Sequence, residues 1–169
     1  MEQCKVKKNK SIIAYSLLKI EYEEFLSLDE LEAADRALAE AAIAAIEGSY
    51  APYSNFNVGA AVRLADGRVF CGANQENAAY PSGLCAERTA MFYAHSQRKG
   101  AYLSSIAVAA AQNGKLYDKP ATPCGDCRQV MAEFQTEIGS AMSVLLVGAG
   151  KIWKFPSVEA LLPFIFDSL

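Results

Sequence analysis

The chain has 169 residues, of which 52% are hydrophobic and 21% charged, with a formal charge of −3 from 16 Lys plus Arg against 19 Asp plus Glu. That composition describes one ordinary folded domain and excludes collagen-like, low-complexity and disordered classes. The acidic balance argues against a nucleic-acid partner. No apolar run reaches the roughly 20 residues of a membrane span, and Met1-Glu2-Gln3-Cys4 does not open a secretory signal, so a cytoplasmic protein is expected. A chain of this size buries roughly 70% of its unfolded surface and needs no metal merely to stay folded, so a bound metal is expected to be functional.

In chain order, the basic run Lys5, Lys7, Lys8 and Lys10 reads as a solvated tail, and residues 11–26 as an added edge strand within an N-terminal extension, 1–28. Asp29 is the expected N-cap of an alanine-rich helix running to Glu47, with Gly48 just past its end. Phe56 to Leu64 and Arg68 to Ala73 flank Asp66-Gly67 and predict a β-hairpin. Leu84 to Gln97 has helical composition, Ser104 to Ala111 is a buried strand, and Cys124 to Ile138 is a second amphipathic helix. Ser143 to Val147 and Ile152 to Phe155 supply two further strands, and Val158 to Leu162 a terminal helix. Strands alternating with helices predict an α/β layered fold.

Five cysteines are an odd number, and a close Cys-x-x-Cys pair in a reducing compartment suggests a metal or redox site before a disulfide. Pro123-Cys124-Gly125-Asp126-Cys127 places such a pair at a helix start, where free amides and the helix dipole lower thiol pKa values. A redox dithiol and a four-ligand structural zinc site are rival readings. Cys85-Ala86-Glu87-Arg88 offers a third thiolate at another helix start. Three protein ligands would leave a tetrahedral zinc one open position, the arrangement of a catalytic site. Glu87 would be the acid–base group, yet positions i and i+2 of an ideal helix do not face each other, so spacing alone does not bring it to the metal.

Residues 74–90, NQENAAYPSGLCAERTA, closely resemble the central block of the small homotetrameric zinc-dependent cytidine deaminases. Tyr53 to Ala61 before it, Pro123 to Val130 after it, and Leu161-Leu162-Pro163 followed by Phe166 match that family in order, over roughly residues 29–166. Asp126 and the 28-residue extension depart from its pattern. The resemblance implies a three-layer α/β/α fold with a mixed central sheet over 29–169, and one Zn2+ per chain on Cys85, Cys124 and Cys127. It further implies Glu87 as the proton carrier in hydrolytic deamination of cytidine and 2′-deoxycytidine, a pyrimidine-salvage reaction. Asn74 and Glu76 would bind the ribose 3′-hydroxyl, Phe56 the pyrimidine, and the Ala86 amide the base carbonyl. Arg88 and Arg128 would donate hydrogen bonds to ligand sulfurs and withdraw their negative charge. Phe166 would cover the base in a neighbouring subunit of a homotetramer, with Tyr80 at the same boundary.

Rival readings are a deaminase for a cytosine-bearing antibiotic such as blasticidin S, a nucleic-acid-editing deaminase, and a non-enzymatic zinc or thiol-binding module. Asn74 and Glu76 weigh against the first, the acidic short chain against the second, and Glu87 against the third. His95 is read as a partly exposed helix residue, Cys71 as a small hydrophobe in the hairpin, and Cys4 as part of the tail.

Overall fold

A computed structural model describes residues 19–167. Cys4, the lysine run and residues 11–18 of the expected edge strand lie outside them. The chain forms β1 (Glu23–Phe25), α1 (Ala33–Ala45), β2 (Phe56–Leu64), β3 (Val69–Ala73), α2 (Ala86–Gln97), β4 (Leu103–Gln112), β5 (Lys115–Leu116), α3 (Gly125–Ile138), β6 (Ser143–Val147) and β7 (Ile152–Phe155). The sheet runs β1-β7-β6-β4-β2-β3, with β5 also on β4. Among the described strands the β4–β6 pair is parallel, with Ile106 opposite Val144 and Val108 opposite Leu146, and the other strand pairings are antiparallel.

The period-2 alternation of β4 builds the two outer layers. Ile106 and Val108 enter a core with Ala90 and Met91 of α2 and Met131 of α3. Ala107 and Ala109 face the other way, against Leu38, Ala39 and Ala42 of α1. Large residues on one face and alanines on the other let α1 lie close to the sheet. A Cβ at Gly59 would come within 2.2 Å of the Ala42 carbonyl oxygen, and one at Gly72 within 2.5 Å of the Ala90 nitrogen. The two glycines thus set the approach of α1 and of α2. The result is the expected three-layer α/β/α fold. No helix among the described residues is long and apolar enough to cross a membrane.

Three expectations need correction. Asp29 is not the N-cap of α1: it lies in a 3₁₀ turn, Leu28–Glu30, and pairs with Arg36 at 2.6 Å. Leu31 is buried and extended (φ −79°, ψ 147°), so the chain must anchor that side chain before the helix starts at Ala33. The terminal helix is a single 3₁₀ turn, Val158–Ala160, because Pro163 lacks an amide hydrogen and disfavours helical backbone at Leu162. Cys71 is exposed in β3 and is no core residue, although partial burial raises its thiol pKa. At the opposite edge of the sheet, β1 pairs with β7, and the Glu24 carboxylate accepts hydrogen bonds from the Trp153 Nε1 (2.7 Å) and Lys151 (3.2 Å). His95 is half-buried, 3.0 Å from Glu137 and stacked on Phe134.

Candidate active site

Two helix starts meet on the α2–α3 side of the sheet. Cys85 is the N-cap of α2 and Cys124 the N-cap of α3, both in extended backbone, while Cys127 lies in the first turn of α3. The three sulfurs fall within 4.8 Å of one another, with Cys85 Sγ 3.8 Å from Cys124 Sγ. Zn–S bonds of about 2.3 Å at tetrahedral angles separate sulfurs by about 3.8 Å, so the thiolates fit one zinc ion by spacing and by softness.

Charge is shared unevenly among them. The Cys85 thiol is drawn down to about 5, chiefly by its hydrogen bond with Cys127, with Arg88 and Cys124 contributing against the cost of burial. Cys127 moves up, first because it donates to Cys85 and then because it is buried. Arg88 Nη2 lies 3.5 Å from Cys85 Sγ; its Nε is buried without a hydrogen-bond partner among the described residues. Arg128 takes a different course from the one expected. Its Nε donates to the Pro123 carbonyl (2.8 Å) and its Nη1 to the Leu161 carbonyl (2.9 Å), not to sulfur. Its guanidinium ties the α3 start to the chain end, since being next to Cys127 in sequence does not decide which way a helical side chain leaves.

Glu87 is 5% exposed. Burial holds its carboxyl above the ordinary range, and the neighbouring Cys85 charge pushes the same way. It lines a cavity of about 180 Å³ with Phe56, Ala86, Thr122, Cys85 and Cys124. The helical i, i+2 objection does not apply, because Cys85 precedes the helix with ψ 153°. Ala86 is the first residue of α2, so its N–H belongs to the turn whose amides lack helical acceptors.

Asn74 and Cys85 also line a larger cleft of about 480 Å³ with Glu76, Tyr53, Tyr80 and Arg88, so the two cavities adjoin. Just past the end of β3, the Asn74 amide donates to the Phe56 carbonyl (2.9 Å) and accepts from the Val58 N–H (2.8 Å). Glu76 accepts from the Tyr53 N–H (2.9 Å), the Ser54 N–H (3.3 Å) and the Ser54 hydroxyl, contacts that lower its pKa, the hydroxyl most. Both residues therefore shape the entrance to Phe56 as well as facing the cleft. Ser54 and Thr122 were not singled out from the sequence. Ser54 stands in the block before Phe56, whereas Thr122 had no motif to mark it. Tyr80 is 77% exposed, edge-on to Tyr53. Phe166 is 64% exposed and lines neither cavity.

Three converging thiols, a buried carboxylate and an adjoining cleft that holds Asn74 and Glu76 are the equipment of a zinc enzyme that activates water. Residues 32–141 match the family model described as the cytidine and deoxycytidylate deaminase zinc-binding region. The cytidine deaminase of Halalkalibacterium halodurans is 50% identical over 96 residues, 57% of this chain and 68% of that one. The crystal structure of cytidine deaminase from Burkholderia pseudomallei superposes with a TM-score of 0.65 at 45% identity, covering 77% of this chain and 97% of that one. The structure from Mycobacterium tuberculosis gives 0.62 at 35% identity, covering 78% and 96%. The chain belongs to the zinc-dependent cytidine and deoxycytidylate deaminase family.

Proposed function

We propose that the protein hydrolyses the exocyclic amine of cytidine and 2′-deoxycytidine, yielding uridine or 2′-deoxyuridine and ammonia, as a cytoplasmic enzyme of pyrimidine salvage. The observation that carries this reading is that buried Glu87 shares one small cavity with Cys85 and Cys124, and that this cavity adjoins the cleft holding Glu76. Such a pair of spaces suits a planar base beside the thiols and a sugar beside Asn74 and Glu76.

Cys85, Cys124 and Cys127 would hold the zinc, which supplies Lewis-acid activation of water. Glu87 accepts a proton from the attacking water and delivers it to ring N3, making C4 electron-poor; it then takes the second proton from the hydroxyl now bonded to C4 and delivers it to the amine as the C4–N bond breaks and ammonia leaves. Burial raises the pKa of Glu87 above the ordinary carboxylate range, which makes the carboxylate a stronger proton acceptor. The Ala86 amide donates to the base carbonyl, and Phe56 packs against the ring, a reading supported by their sharing the cavity of Glu87. Although Asn74 and Glu76 already bond the protein, a carboxylate has about four lone-pair sites and an amide keeps one N–H, which leaves capacity for a 3′-hydroxyl. Arg88 stabilises charge on Cys85.

Phe166 is 64% exposed and lines neither the thiol cavity nor the adjoining cleft of its own chain, which supports its role as a cover for the base in a neighbouring subunit of a homotetramer, with Tyr80 at the boundary. Following absorbance with cytidine, 2′-deoxycytidine, cytosine and blasticidin S tests the reading. Turnover of the two nucleosides and poor turnover of the others is expected, because a site that binds the sugar hydroxyl rejects analogues lacking it. Preferential turnover of blasticidin S would overturn it.

A further inference from the structure

The last described residues, 158–167, contain one 3₁₀ turn and no strand. Backbone groups of Val158, Leu161 and Phe166 bond to side chains of α3. Gln135 Oε1 accepts from the Val158 N–H (3.1 Å), Arg128 Nη1 donates to the Leu161 carbonyl (2.9 Å), and Gln129 takes both polar groups of Phe166. Its Oε1 accepts from the Phe166 N–H at 3.1 Å, and its Nε2 donates to the Phe166 carbonyl at 2.8 Å. The chain end thus runs back along α3 from Gln135 toward the thiol-bearing start of the helix.

We propose that Gln129 is a positioning residue for the deamination reaction: its amide pairs with the backbone of Phe166 as a neighbouring strand would, and so holds the exposed Phe166 at a fixed place on the surface beside α3. The inference rests on the reading that Phe166 covers the bound nucleoside. A segment without its own ladder of hydrogen bonds moves readily unless something ties it down. Bonds to both the N–H and the C=O of Phe166 hold the two peptide units that flank its side chain, and so fix the residue's position and rotation, which a single bond does not. Gln129 stands two residues beyond Cys127, so the element that carries a metal ligand also carries the tether.

The test uses zinc-loaded enzyme and compares wild type, Gln129→Ala, Gln129→Met, Phe166→Ala and the Gln129→Met/Phe166→Ala double variant. Gln129→Met keeps the length and packing of the stem while removing the hydrogen bonds, and so guards against simple misfolding. With cytidine, both Gln129 variants are expected to raise KM about fivefold, the size of a lost exposed hydrogen-bond pair, with kcat within about twofold and zinc content unchanged. Amide exchange at Phe166 should quicken. The double variant should be no worse than Phe166→Ala, since Gln129 acts only through that ring. If Phe166→Ala raises KM while the Gln129 variants do not, or if the two penalties multiply, the positioning role is overturned and the Phe166 reading survives. If Phe166→Ala leaves KM unchanged, the reading beneath it fails as well.

Discussion

Cys85, Cys124 and Cys127 were legible in the sequence because soft ligands at a Cys-x-x-Cys spacing and a third cysteine at a helix start leave few chemistries open. Glu87 was reachable only through resemblance; the extended backbone at Cys85 that brings it to the same cavity leaves no mark in residue spacing. Arg128 was misjudged for the opposite reason. Its partner at Leu161 lies 33 residues away, and a contact of that range has no local signature. Replacing any one of the three cysteines is expected to release the metal, because two thiolates cannot complete the set. Metal analysis of Cys85→Ala should find well under about a tenth of a zinc per chain, with turnover lost alongside; full occupancy would contradict the ligand assignment.

At the scale of elements, the hairpin of β2 and β3 and the strands β6 and β7 follow from alternation and turn residues, and β4 from its continuous apolar run. Start points were harder, since the buried Leu31, not the capping chemistry of Asp29, decides where α1 begins. The two-residue β5 did have a signal. Asn113 and Gly114 have φ of 52° and 73°, and Asn-Gly is the favoured pair for a tight hairpin turn. The sheet contact of α1 depends on Asp35, 6% exposed, whose carboxylate meets Arg63 (2.9 Å) and Lys154 (2.9 Å). Burial raises its pKa, but hydrogen bonds and charge from Lys154 and Arg63 outweigh that, and the net shift is downward. A depressed folded-state pKa gives stability that is present above the ordinary aspartate value and lost as pH falls through the lowered one. Asp35→Asn is expected to cost about 2 kcal/mol at neutral pH, less than a fully buried pair because both cations are partly exposed. Denaturant titration should show the deficit shrinking in acid; a deficit independent of pH would contradict the ion-pair role.

For the whole molecule, the layered fold was legible from the order of strands and helices, whereas the homotetramer came from resemblance alone, because no residue pattern within one chain encodes contacts between chains. Phe166 is exposed, and if it completes a neighbour's site, subunits damaged at different places should repair each other. Co-assembled Glu87→Gln and Phe166→Ala chains are expected to recover activity through sites that combine an intact Glu87 with an intact Phe166. Mixed oligomers verified by mass that show no recovery would place Phe166 in its own chain's site. Everything else depends on Glu87 moving protons beside thiolate-held zinc, and the most direct measurement is zinc content and kcat on one preparation of Glu87→Gln. The amide keeps the shape and removes the proton transfer. About one zinc per chain with kcat reduced by at least about a thousandfold is the predicted result, and near-wild-type turnover in that zinc-loaded variant would contradict it.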